Sequence, residues 1–484
     1  MLIKNIRVLL ASCMVVGFCF LFLDQSEGNV LARKLAWLAD IQLVPALLAG
    51  SLGIVIAILA LTLVYGRIYC SVICPLGLLQ DLLRSLSKTR RYTPLKAQPL
   101  IRYTFLLLFV LALLAGLPVF FTLLEPYSAF GRIATALGLP LAVLSNNGLD
   151  FLTGGNSLLF VPKTVFMQGI ATVAVAIVTL LILLWCTLTY GRIWCSLICP
   201  VGTFLGLLSR WSLFRPHIDA KTCTSCGACA RSCKTGCIDA EQGIVDASRC
   251  VACYNCLDAC KFSALHLRPT HTETKPVSAE RRAFLGALGF CALSKLADTP
   301  AHAATSEKSE AEILHRRYKE RRFSQVPLLP AGAQSQNHFT QKCTGCQLCV
   351  SHCPSHVLIS QDRGLGLLQP EMSFAHGFCR VDCVRCSEIC PTDAIRPISK
   401  EEKSSIQIGR AQIDLSLCVI TTDRVKCNAC QRNCPTGAVS LVGERELPSV
   451  HAEKCIGCGA CEFYCPARPL AAISVEANHQ HHDI

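Results

Sequence analysis

Six times along this chain of 484 residues, four cysteines recur at close, regular spacing. The quartets are Cys223, Cys226, Cys229 and Cys233; Cys250, Cys253, Cys256 and Cys260; Cys343, Cys346, Cys349 and Cys353; Cys379, Cys383, Cys386 and Cys390; Cys418, Cys427, Cys430 and Cys434; and Cys455, Cys458, Cys461 and Cys465. Five follow C-x₂₋₃-C-x₂-C-x₃-C, while the Cys418 unit keeps only its last three at that spacing. A thiolate row this compact wraps three irons of one [4Fe–4S] cubane, and its fourth sulfur serves a neighbouring cluster. Together the quartets take 24 of the 33 cysteines, so the parts that hold them fold around clusters more than around an apolar core.

Zinc and disulfides account for this pattern poorly. A structural zinc site takes four ligands from two separated knuckles, whereas here three ligands fall within seven residues and a fourth follows closely. Pro354, Pro391, Pro435 and Pro466 follow the last cysteine of their runs, as in the bacterial ferredoxin signature. The first two runs carry Lys234 and Lys261 at that place. A disulfide framework suits a short secreted domain, not a long chain with a strongly apolar half.

That apolar half predicts an α-helical membrane bundle. The chain is 52% hydrophobic and 16% charged, and about 20 apolar residues suffice to span a bilayer. Four stretches qualify, 6–23, 43–64, 101–124 and 166–188, within a membrane domain over residues 1–217. Cys13, Cys19 and Cys186 inside them read as small packing residues. Lys4 and Arg7 precede the first span, and the loop between the second and third carries Arg84, Lys88, Arg90, Arg91, Lys96 and Arg102 against one acid, Asp81. Basic loops stay inside, so both ends of the bundle are expected at the cytoplasm. The net charge of +13 is partly this bias and offers no case for a nucleic-acid partner.

A repeat marks the bundle as a duplicated helix pair. Tyr65-Gly66-Arg67 leads to Cys70, Cys74, Pro75 and Gly77, and the same order returns as Tyr190-Gly191-Arg192, Cys195, Cys199, Pro200 and Gly202. A C-x₃-C step places two sulfurs on one helix face, so Cys70, Cys74, Cys195 and Cys199 are candidate redox thiols at the membrane surface. Arg67 and Arg192 read first as anchors reaching for the interface, and second as ligands for a quinone head group.

The first two quartets lie within residues 218–270, expected as a two-fold (βαβ)₂ ferredoxin domain on the cytoplasmic side. Exchange of fourth ligands joins Cys223, Cys226 and Cys229 with Cys260, and Cys250, Cys253 and Cys256 with Cys233, leaving Cys237 spare. Arg281 and Arg282 then open a short apolar run that ends at Ala301-His302-Ala303, which describes a twin-arginine export signal or anchor over 278–304. A solvated linker, 305–337, leads to a four-cluster domain over 338–477. The tail with His481 and His482 is expected to be disordered.

Residues 1–270, with the paired motifs and two quartets, resemble the NapH-type membrane component of quinol dehydrogenases. Residues 280–477, with the arginine pair and four quartets, resemble NapG/MauM-type periplasmic ferredoxins, here fused to the first. The resemblance implies a bacterial inner-membrane protein that takes electrons from the quinone pool through six [4Fe–4S] clusters to a periplasmic reductase of the nitrate type or a c-type cytochrome, with its outer domain carried by the twin-arginine export machinery. It also implies that the first outer run pairs with the fourth, joining Cys343, Cys346 and Cys349 with Cys465, while the second and third exchange Cys390 and Cys434. The rival reading is a redox accessory, maturation or sensor protein of the NosR or cytochrome-oxidase assembly kind.

Overall fold

The computed structural model describes residues 2–24, 30–85, 98–153, 162–164, 166, 168–219, 222–269, 326–362, 364 and 366–484. The expected export signal lies outside these residues. Segments 1–268 and 326–484 fold into one unit.

Two helices measure that unit from end to end. Leu2–Leu23 has 22 residues, about 33 Å at 1.5 Å per residue. Near its start, Lys4 Nζ pairs with Asp258 of the first ferredoxin domain at 2.8 Å. Near its finish, Phe18, Leu21 and Phe22 pack with Leu348 and Ile389 of the C-terminal cluster domain. Helix Ile170–Tyr190 runs the other way. The Ala171 N–H donates to Asp362 at 3.3 Å, and just past the helix the Arg192 N–H donates to the Lys234 carbonyl at 2.7 Å. The two cluster-bearing parts therefore occupy opposite ends of one helical bundle.

Ile3–Leu23, Pro126–Leu152 and Ile170–Tyr190 are each long and apolar enough to cross a membrane. Leu9, Leu52, Ile56, Ile170 and Trp185 stay largely exposed on the bundle, as lipid-facing side chains do. The expected set of four spans is corrected in two ways. Stretches 43–64 and 101–124 are broken helices, Leu43–Leu48 with Leu52–Tyr65 and Pro99–Leu114 with Pro118–Leu124, interrupted at Gly50 and Gly116, which both adopt positive φ. The region expected as a loop between the last two spans holds the helix Pro126–Leu152. Arg132, Asn146, Asn147 and Asp150 dilute its apolar pattern and hid it.

The repeated motifs do not sit on the bundle surface. Pro75–Ser85 packs against Leu2–Leu23, Pro126–Ile133 and Ile170–Tyr190, and Pro200–Leu208 packs against Leu52–Tyr65 and Pro99–Leu114. Arg84 Nη1, near the end of the first short helix, donates to the Leu188 carbonyl at 2.5 Å. Each motif thus folds back between the helices, and the short helix that follows returns toward the same end.

The first ferredoxin domain has the expected two-fold plan. Strand Phe214–Ile218 pairs with Leu265–Pro269, Ile238–Asp239 pairs with Ile244–Val245, and helices Ala228–Ser232 and Asn255–Ala259 lie within the two runs, carrying Cys229 and Cys256. At the other end, Ile406–Ile413 pairs antiparallel with Ile473–Asp483, with Ile473 opposite Ile413. This corrects the disordered tail: His482 lies in that ladder opposite Gln407, and the His481 N–H donates to the Gln334 carbonyl at 2.8 Å. The end of the expected linker is also structured, because Leu328, Leu329, Ala331 and Ala333 are buried in the core of the C-terminal domain.

Candidate functional site

The ferredoxin-type runs bring their thiols together in cradles. Cys223, Cys226, Cys229 and Cys260 line one cavity, and Cys233, Cys250, Cys253 and Cys256 line another, in the exchange that the spacing predicts. Such sets supply the four thiolates that a [4Fe–4S] cubane takes. In four runs the residue after the second cysteine is left-handed: Gly227, Tyr254, Gln347 and Gly459. The corresponding Val384 and Asn428 have φ of −118° and −130°, so the two runs with irregular spacing also depart in backbone. Sulfurs at the fourth positions accept backbone N–H groups, as from Ala264 to Cys260 at 3.3 Å and from Ala438 to Cys434 at 3.2 Å.

Cys237 also lines the second cradle, its Sγ 3.4 Å from that of Cys233. The hydrogen bond shared between the two thiols is the largest cause that holds the Cys233 thiol down, to about 5.

The C-terminal domain overturns the pairing implied by resemblance. One core packs Cys343 and Cys349 with Cys353, Cys379, Cys386 and Cys390, and a second packs Cys418, Cys455, Cys461 and Cys465 with Cys430 and Cys434. Cys390 is the electrostatic neighbour of Cys343, Cys346 and Cys349, and Cys353 is that of Cys379 and Cys386. Cys434 serves Cys455, Cys458 and Cys461. Consecutive runs therefore exchange their fourth ligands, third run with fourth and fifth with sixth. The shorter connection closes at lower entropic cost than a link from first outer run to last.

Cys418, Cys427, Cys430 and Cys465 line one cavity, so the distant cysteine arrives as the fourth thiol. Burial pushes the Cys430 and Cys458 thiols up to about 11, which leaves iron as the agent that draws out their protons. Replacing Cys418 with Ala should remove about four iron atoms per chain by metal analysis while the remaining clusters persist.

Between the two ends lie the repeated motifs. Gly66 and Gly191 have φ of +74° and +75° with ψ of −157° and −131°, a region essentially closed to other residues. They turn the chain sharply back at each helix end and aim the next residue inward. Arg67 and Arg192 are fully buried, and each clasps the opposite repeat. Arg67 Nη1 donates to the Cys195 carbonyl at 3.2 Å and the Gly202 carbonyl at 2.6 Å. Arg192 donates to the Cys70 carbonyl at 2.7 Å and the Gly77 carbonyl at 2.8 Å. A side chain at Gly77 or Gly202 would collide with the carbonyl of Cys70 or Cys195, so the motif glycine lets the clasp close. These arginines are buried clamps and not interfacial anchors.

Cys70, Cys74, Cys195 and Cys199 are buried within this clasp and lie within electrostatic reach of one another. Cys199 Sγ accepts the Gly202 N–H at 3.4 Å, and Cys195 Sγ donates to Gln80 at 3.6 Å. Cys70, Cys74 and Cys199 share a hydrophobic core with Cys253 of the second cradle.

The clasp is tied to both cluster domains. On one side, Arg67 also donates to the carbonyls of Arg249 at 2.6 Å and Cys250 at 3.2 Å. Asp81 joins Arg192 at 2.7 Å and Lys234 at 2.8 Å. These cations outweigh its burial and hold the Asp81 carboxyl well below the usual carboxylate range. Lys234, which stands where other runs have proline, is thus a docking residue. On the other side, Glu125 caps the helix Pro126–Ile133 by accepting the N–H groups of Tyr127 and Ser128. Glu125 lies within electrostatic range of both Cys74 and Cys346. Gly131, farther along that helix, leaves no room for a Cβ against the Cys346 carbonyl. Arg132 is buried, and none of its nitrogens has a hydrogen-bond partner among the described residues. Asp81, Lys234, Glu125 and Arg132 were not singled out as functional from sequence. Two signals were visible: Asp81 is the lone acid of a basic loop, and Lys234 displaces a proline.

Helices long and apolar enough to cross a membrane, with thiol cradles at both ends, define a membrane protein with ferredoxin-type domains built for iron–sulfur electron transfer. Comparison with known proteins agrees. The model of a 4Fe-4S binding domain matches residues 47–94 and 172–219, which contain the two motifs, and the model of a 4Fe-4S dicluster domain matches 423–468. The methylamine utilization ferredoxin-type protein MauM of Methylorubrum extorquens is 30% identical over 210 residues, 40% of this chain and 86% of MauM. The chain belongs to this family of ferredoxin-type proteins. It is also 28% identical to the ferredoxin-type protein NapF of Escherichia coli, over 31% of this chain and 86% of NapF. YccM of Escherichia coli, named for electron transport, is 24% identical over 39% of this chain. The chain spans 47% of YccM. No solved structure matches.

Proposed function

We propose that this protein oxidises quinol in the membrane and passes the electrons singly through [4Fe–4S] clusters to a periplasmic acceptor, a reductase of the nitrate type or a c-type cytochrome. The observation that carries this reading is the continuity of the thiol sites. The Cys253 cradle packs on the motif cysteines, Glu125 lies within electrostatic range of both Cys74 and Cys346, and the Cys379 N–H donates to the Cys458 carbonyl at 2.9 Å, joining the two halves of the far domain. Clusters bound in these cradles would supply one-electron steps at potentials tunable from about −700 to +450 mV.

Within this scheme the paired motif cysteines connect the cytoplasmic ferredoxin pair to the four-cluster domain outside. Arg67 and Arg192 have their donors committed to carbonyls and to Asp81, so they serve the clasp and not a quinone. Arg132 is the better partner for a quinol oxygen, because its guanidinium is buried with unused donors. As quinol gives up two electrons to the clusters and two protons, Glu125 beside Arg132 can receive one proton and solvent the other. The test adds a reduced menaquinol analogue anaerobically to the purified holoprotein and follows the clusters by EPR. Cluster reduction in the native protein, lost in Arg132→Ala with iron content intact, is expected. An absence of cluster reduction in the native protein would refute quinol as the donor.

A further inference from the structure

The fourth run is the one in which three residues, Arg380, Val381 and Asp382, separate the first two cysteines of an otherwise regular quartet. The longer loop turns backbone carbonyls toward a side chain from outside the run. Lys403 Nζ donates to the Arg380 carbonyl at 2.6 Å, to the Cys383 carbonyl, and to Cys379 Sγ at 3.2 Å. Lys403 sits on the short helix Lys400–Ser405, fixed by a capping box between Ser399 and Glu402. Its residue exposure is only 6%, and among the described residues no carboxylate pairs with it. By contrast, the Cys434, Cys455 and Cys465 sulfurs accept from uncharged backbone N–H groups of Ala438, Ala411 and Ala472.

A buried cation on a ligand sulfur favours whichever state of a cluster carries more negative charge. Reduction of a cubane adds one electron, and charge and hydrogen bonds at the sulfurs are established controls of its potential. The low effective dielectric of a protein interior strengthens the effect. We propose that Lys403 raises the reduction potential of the cluster held by Cys379, Cys383, Cys386 and Cys353, making it the electron reservoir of the far domain. This rests on the reading that these cysteines hold a cubane. The position suits the role, because the Cys379 backbone is bonded to Cys458 of the next cradle. An electron leaving the Cys343 cluster settles at this site before moving on.

The test compares the intact holoprotein with Lys403→Met, which keeps the stem and removes the charge, and Lys403→Arg, which keeps the charge. Iron content is measured first, then midpoint potentials by EPR-monitored redox titration with dithionite as reductant. In Lys403→Met one midpoint should fall so that the reduced-to-oxidised ratio at fixed potential drops at least tenfold, about 59 mV for one electron. The other midpoints should hold, and Lys403→Arg should stay close to the native value. An unshifted set of midpoints with full iron would overturn the proposal. Loss of about four irons in Lys403→Met would overturn it too, showing a residue needed for assembly and not for potential. Native protein without iron at these cysteines would instead refute the cluster reading beneath it.

Discussion

Replacing Cys74 or Cys199 with Ser is expected to abolish electron passage between the two cluster domains while leaving all the ferredoxin-type clusters assembled. Cys70, Cys74 and Cys199 lie buried in one core with Cys253 of the neighbouring cradle, Glu125 is within electrostatic range of Cys74, and no other cysteine of the described bundle shares that core. Ser keeps the approximate shape and an acceptor for the Gly77 N–H at position 74 and the Gly202 N–H at position 199, but removes the soft, polarizable sulfur that thiol redox chemistry and iron binding require. Iron content should match the native protein to within about four atoms, the allowance for a cluster at the motif itself. The rate of reduction of one domain by electrons supplied to the other should fall to background in stopped-flow absorbance. Unchanged transfer would leave these thiols as packing groups.

Arg192→Ala should be the most damaging single change to the bundle. It strips the Cys70 and Gly77 carbonyls of their donor and leaves Asp81 with only Lys234 and a longer contact to Arg7. Removing one partner of a buried ion pair costs roughly 3–5 kcal/mol, a large share of the 5–15 kcal/mol that holds an ordinary domain together. A marked drop in melting temperature in detergent is the expected reading. Arg192→Lys should recover little, because an ammonium cannot place donors on two carbonyls and a carboxylate in one plane. Melting at the native temperature in Arg192→Ala would show that the clasp contributes nothing to stability.

The cluster runs were legible because iron–sulfur ligation leaves a spacing that no other chemistry imposes on so few residues. The exchange within the first ferredoxin pair was legible for the same reason. The far pairing was not, since spacing within a run says nothing about which run folds against it; here the two separate cores decide. Hydropathy found the helices starting near Ile3 and Ile170 but passed over Pro126–Leu152, whose apolar face is interrupted by Arg132 and Asp150. The duplicated motif announced itself, yet its burial could not be read from a linear pattern. Arg67 and Arg192 looked like surface anchors because the carbonyls they bind come from the other repeat and carry no side-chain signature. Lys403 was missed although its cause was visible, in the one extra residue between Cys379 and Cys383.

Electron passage across the bundle between the two cluster domains is assigned to the paired motif. It is tested most directly in sealed proteoliposomes with ferricyanide trapped inside and dithionite added outside, neither of which crosses the bilayer readily. Ferricyanide reduction is expected to require the cluster-loaded protein and to disappear in a variant with Cys70, Cys74, Cys195 and Cys199 all changed to Ser. Reduction that proceeds equally in that variant, or fails in the native protein with its full iron content, would contradict it.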